Sequence, residues 1–171
     1  MELSGNEETQ QLPVTDHDYS VTATDINNPD IIDLIKRNCS NNQALIKQEI
    51  SVKSLDFGDS LESEEYLEEV DTVIAGDIIY DNDITEKFVN FLKKFGQKSS
   101  RRVSVLVALE KRFVFTLADL DTRAPAFDFF MERLSSEKEL MKYYEINLDF
   151  PQYFCYERSK EMIMIQIELS T

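Results

Sequence analysis

DTVIAGDIIYDND, Asp71 to Asp83, runs from an apolar core-like stretch straight into a cluster of acids. Thr72 to Asp77 is short and almost continuously apolar, the pattern of a strand buried on both faces in a parallel sheet. The strand stops on Asp77, with Tyr80 three residues later, and a helix pattern starts at once. In DITEKFVNFLKKFG, Ile84, Phe88, Phe91, Leu92 and Phe95 form the apolar stripe. Asp83 and Glu86 have the spacing of a capping box, Lys93 and Lys94 suit the negative end, and Gly96 is read as the stop.

The same rhythm repeats on both sides. Upstream, SVTATD (Ser20 to Asp25) reads as a strand ending on an acid. It leads into a helix with Asn28 as N-cap, Pro29 at the first position and Asp30 near the positive end of the dipole. Ile31, Ile32, Leu34, Ile35 and Cys39 give that helix an apolar face. Glu49 to Phe57 alternates as a strand ending at Asp56 and Phe57, followed by an acidic connector with room for a helical turn or two. Downstream, RVSVLVALE (Arg102 to Glu110) is a second buried strand. APAFDFFMERLSS is a helix with Phe127, Phe130, Met131 and Leu134 inward, and KYYEINLDF and EMIMIQIEL make a closing antiparallel strand pair. Strands alternating with helices specify an open, mostly parallel α/β sheet, expected over residues 20–171 after a polar lead-in at 1–19.

Composition narrows the function. The chain has 171 residues, 42% hydrophobic and 30% charged, with a net charge of −15. Residues 1 to 83 carry 20 acids against 4 bases, whereas residues 84 to 171 are nearly balanced at 13 against 14. So acidic a surface argues against a phosphate backbone as partner and suits a basic one. No stretch has the roughly 18 to 20 apolar residues of a membrane span. Cys39 and Cys155 lack any paired spacing and read as reduced thiols of an intracellular protein, expected in nucleus or cytoplasm. With one histidine, His17, and no paired cysteines, a metal site is not expected.

Open α/β sheets bind ligands outside the carboxyl ends of their strands. Three strand ends therefore matter together: Asp25, Asp56 with Phe57, and Asp77 with Tyr80. A carboxylate at the place of Asp25 can accept from both hydroxyls of a ribose, although an acid before a helix is also ordinary capping chemistry. Asp56 and Phe57 offer an acceptor beside an aromatic face, a plausible adenine pocket. These features point to a nucleoside cofactor without choosing one, because nicotinamide and S-adenosylmethionine sites share the ribose acid. There is no GxGxxG. The four glycines are Gly5, Gly58, Gly76 and Gly96, and only Gly5 precedes Asp25.

The strings VTATDINNPDIIDLIKRN, VKSLDFGD and VIAGDIIYD together resemble successive motifs of the seven-strand protein-lysine methyltransferases, methyltransferase family 16. LVALEKRFVFTLADLDTRAPAFDFF and FPQYFCYERSK are similar to the methyltransferase-like protein 22 group within it. The resemblance implies a three-layer Rossmann-like class I methyltransferase sheet and S-adenosyl-L-methionine as cofactor. It also implies a monomer acting on a lysine of a protein substrate. Position by position, Asp25 would hold the ribose hydroxyls. Asp56 and Phe57 would flank the cofactor, with Phe57 where the family often has tryptophan. The backbone of Gly76 would lie against the cofactor, and Asp77 and Tyr80 would be the family's D-x-x-Y, receiving the lysine. A lysine must lose its proton before it attacks, and a carboxylate stabilises the charged amine; Asp77 is thus expected to orient rather than to act as general base.

One departure stands out. The family pattern places a first strand and a loop of the form E-L-G-x-G-x-G about 20 residues before Asp25, where this sequence has MELSGNEETQQLPVTDHDY. The expectation is a sheet lacking that first strand, in a chain that is truncated or inactive as it stands and binds S-adenosylmethionine weakly or not at all. The alternative is a non-catalytic α/β module that engages a basic protein through its acidic half.

Overall fold

The computed structural model describes residues 20–59, 65–116, 121–152, 155 and 157–169. The lead-in with His17, the middle of the acidic connector and part of the FPQYFCYERSK stretch lie outside the described residues. The chain divides into two compact units, Met1–Asp56 and Phe57–Thr171.

In the first unit, β1 (Val21–Asp25) and β2 (Ile50–Ser54) pair in parallel, Val21 opposite Ile50 and Asp25 opposite Ser54. The connection between them is α1 (Pro29–Asn41), which begins as the sequence indicates: the Asp30 N–H donates to Asn28 Oδ1 at 3.0 Å. Its apolar stripe is not buried. No residue of α1 falls in the buried class, and Leu34 is 48% exposed.

The second unit carries the core. β3 (Thr72–Gly76) pairs in parallel with β4 (Val103–Glu110), and β8 (Met162–Leu169) lies antiparallel between β4 and β7 (Met141–Ile146). The closing strand pair is antiparallel as read. Register places Ala75, Val107 and Ile165 side by side on one face, together with Val103, Val105, Leu109, Ile163, Ile167, Leu169 and Met141. All of these are buried. Over this face pack α2 (Asn82–Lys98) and α3 (Pro125–Ser136), contributing Phe88, Val89, Leu92, Phe95, Phe130 and Leu134. Arg133 of α3 grips Glu86 of α2, and Lys93 of α2 pairs with Glu137 just past α3 at 3.0 Å. A short hairpin, β5 (Val114–Thr116) with β6 (Asp121–Arg123), follows β4. Before β3, Glu65–Glu69 forms a 3-10 turn within the acidic connector.

Three details correct the reading from sequence. β3 is not buried on both faces: Ile74 is 80% exposed. Among the described residues the strand has one neighbour, β4, and Ile74 sits on the sheet face that α2 and α3 do not cover. The cap of α2 is Asp81, not the Asp83–Glu86 pair. Asp81 Oδ1 accepts from the N–H groups of Asp83 and Ile84 at 2.9 and 3.0 Å, so the helix starts two residues earlier, and Glu86 is turned toward Arg133 and Asn90. Gly96 does not stop α2, which runs on to Lys98. Gly96 is buried within the helix, two residues before its end.

Among the described residues no strand precedes β1, and none pairs β1 with β3. Cys39 and Cys155 are both free thiols. No helix of the described residues is long and apolar enough to cross a membrane.

Candidate functional site

Parallel pairing brings the ends of both strands of a pair to one edge, and both parallel pairs end on acids. In the first unit, Asp25 is exposed at the carboxyl end of β1. Its Oδ1 accepts the Ile26 N–H at 2.8 Å, while its carbonyl accepts the Leu55 N–H at 2.8 Å. That second bond continues the ladder past β2, so Asp56, two residues beyond the strand, emerges at the same edge as Asp25. Asp56 is half-buried.

In the second unit the edge is defined more tightly. Gly76 lies opposite Ala108, and the Asp77 N–H donates to the Ala108 carbonyl at 2.8 Å. Asp77 has φ +53°, the one non-glycine residue with positive φ among the described residues. The left-handed region is costly for most side chains and least so for Asn and Asp, and such conformations concentrate at functional sites. The chain turns sharply there, and the Asp77 side chain is exposed. A Cβ added at Gly76 would meet no heavy atom within 4 Å, so neither packing nor backbone angle demands glycine at this place. Ile79 is buried at 2% and anchors the turn, leaving Tyr80 51% exposed beside it.

Asp77 and Tyr80 thus share one turn between β3 and α2, but the partner of the Asp77 carboxylate is Arg112. Arg112 Nη2 stands 2.9 Å from Oδ1 and 2.8 Å from Oδ2. Arg112 is the second residue after β4, at the same edge as Asp77. Its neighbours Lys111 and Phe113 line a cleft of about 460 Å³ with Glu145, Asn147, Lys160 and Glu161, while Arg112 itself turns to the carboxylate. The stretch LVALEKRFVFTLADLDTRAPAFDFF, quoted for the resemblance, contains Arg112, but nothing in the sequence by itself assigns it a role. The available signal was topological: two adjacent parallel strands end together, so a base just after β4 falls beside an acid just after β3.

Phe57 packs its ring on Phe88 and Phe91 of α2, with centroids 5.1 and 5.4 Å away. It is half-buried and contributes to the α2 aromatic cluster whatever else it contacts.

Residues 10–136, well over half the chain, match the family model described as lysine methyltransferase. The chain belongs to the lysine methyltransferase family. Among family relatives, methyltransferase-like protein 22 of Mus musculus is 28% identical over 101 residues, and that of Homo sapiens 27% over 101. Each match takes in 56% of this chain but only 26% and 25% of the relative, so the chain matches about a quarter of the length of these proteins. Among solved structures, the S-adenosylmethionine-dependent methyltransferase SibL in its apo form aligns with a TM-score of 0.50 at 13% identity, covering 89% of this chain and 44% of that one. The likeness is one of fold. This member of the family has the class I methyltransferase α/β architecture, with parallel strands and an antiparallel strand set at the β8 side.

Proposed function

We propose that this chain carries out, or forms part of a protein that carries out, S-adenosyl-L-methionine-dependent methylation of a lysine ε-amine on a protein substrate. The observation that carries the reading is the Asp77–Tyr80 turn: an exposed carboxylate in a left-handed turn at the end of a parallel strand, with an exposed phenol three residues on. Membership of the lysine methyltransferase family supports it. Two features fit the cofactor. Asp25 is exposed at a strand end with its carboxylate already oriented by the Ile26 N–H, suited to a ribose diol. The open backbone at Gly76 permits close approach of a ligand.

When bound, the cofactor supplies a methyl group activated on a sulfonium, which leaves the protein the work of positioning and desolvation. Asp25 would accept from the ribose hydroxyls, and Asp56 and Phe57 would flank the cofactor. Asp77 would accept an N–H of the incoming amine and Tyr80 would fix its direction, aligning the nitrogen lone pair with the carbon to be attacked. The reading extends to a monomer working on protein substrates in the nucleus or cytoplasm.

The test is transfer of labelled methyl groups from S-adenosylmethionine to lysate proteins by the wild-type chain and by Asp77→Asn. Asn tolerates positive φ, so this variant deletes the charge without forcing the backbone to move. Lysine-specific labelling that disappears in the variant is the expected result. Labelling that persists undiminished in Asp77→Asn would remove Asp77 from the site.

A further inference from the structure

The Asp77–Arg112 pair bears on a difficulty in lysine methylation. A bare carboxylate attracts the ammonium form of lysine, which has no lone pair with which to attack. In this structure the carboxylate already carries a cation. Arg112 Nη2 lies almost equidistant from both oxygens, at 2.9 and 2.8 Å, so one nitrogen takes the inner lone pairs. A carboxylate offers about four acceptor positions, and the outer ones stay available. The Asp77 and Arg112 side chains are 62% and 53% exposed, which leaves those positions open to an incoming donor. The arginine is not needed to hold the Asp77 backbone, since the N–H is fixed on Ala108.

We propose that Arg112 is a positioning residue that neutralises Asp77, so that the site receives lysine as a hydrogen-bonded neutral amine rather than trapping it as ammonium. This rests on the reading of Asp77 as the lysine acceptor. Arginine suits the task because it stays protonated under every condition in which a lysine gives up its proton. Nearby charged groups are engaged elsewhere. Glu110 accepts from the Ser159 hydroxyl, Lys111 Nζ sits 4.3 Å from the Phe127 ring centroid, and Asp81 caps α2. Among the described residues, Arg112 is the cation on this carboxylate.

The test needs no cofactor. n-Butylammonium stands in for a lysine side chain, and n-butanol for a neutral donor of the same length. Both are titrated into the folded chain at neutral pH, with the amides of Gly76 to Tyr80 as NMR reporters. Arg112→Gln and Arg112→Ala are expected to tighten butylammonium binding about two- to five-fold, the range of an exposed charge pair, and to leave butanol binding unchanged. Arg112→Lys, which retains the charge, is expected to keep the wild-type selectivity. An arginine with a merely structural role would weaken both probes together, and an unchanged or weaker preference for the cation in the Gln and Ala variants overturns the proposal. Asp77→Asn separates the two readings. If it leaves butylammonium binding intact, Asp77 is not the acceptor; if it abolishes binding while Arg112→Gln changes nothing, the acceptor stands and the role of Arg112 fails.

Discussion

The two parallel strand pairs are built from the same local grammar and held by different means. β1 ends on an acid and β3 is followed at once by one, each turns, and each feeds a helix capped by an Asn or Asp side chain. Around β3 and β4, that grammar rests on a close-packed layer in which Phe88, Val89, Leu92, Val105 and Val107 are at most 1% exposed. Around β1 and β2, no residue of either strand or of α1 is buried. Capping and strand propensity fix where an element starts, but burial supplies most of the stabilisation. The acid at Asp77 thus sits on a rigid platform, whereas the acid at Asp25 is positioned chiefly by backbone hydrogen bonds.

The largest expected effect tests that contrast directly. Phe88→Ala should cost about 3–5 kcal/mol in urea unfolding, the range for emptying a packed aromatic site. Leu34→Ala on the exposed side of α1 should stay within about 0.5 kcal/mol. Comparable losses at both positions would mean that α1 is buried in solution and would erase the distinction. Amide hydrogen exchange sharpens the comparison without mutation: β4 and β8 should exchange at the rate of global unfolding, and α1 by much cheaper local opening. A smaller effect separates the competing caps of α2. Asp81→Ala should destabilise by about 1 kcal/mol, and Asp83→Ala by less, since Asp83 contributes only its charge to the first turn. The smallest effect is at Gly76, where Ala should leave thermal stability unchanged because the added methyl meets nothing. If ligand approaches this backbone as proposed, the same variant should weaken further the already weak S-adenosylmethionine binding expected of the wild-type chain, read by calorimetry.

Much of the fold was legible because its signals are local. Asn28-Pro29 marks the start of α1, the Phe-rich 3.6-residue period marks α2, and the alternation of EMIMIQIEL marks β8. What failed depends on partners that sequence order does not display. A five-residue apolar run is the same whether both faces are covered or one, so the exposure of Ile74 could not be read from TVIAG. D-N-D offers two acidic cap positions two residues apart, and which one wins depends on where the buried stripe of α2 must face. The β5–β6 hairpin strands are three residues each, too short to show a period. At the candidate site, Asp25, Asp56, Asp77 and Tyr80 all fall at or just past strand ends, as their spacing suggested, and Gly76, taken from the resemblance, is the last residue of β3. Arg112 was missed because its partner is 35 positions away and meets it only once β3 and β4 pair.

The placement of β8 has a consequence for biogenesis. This strand is interior to its sheet yet follows β5, β6, α3 and β7 in the chain, so the apolar edge of β4 must wait for it during synthesis. Until then Val103 to Leu109 present an unpaired, β-branched edge, a template for mispairing with other chains. Folding of the second unit should accordingly be slow for its size and sensitive to chaperone supply.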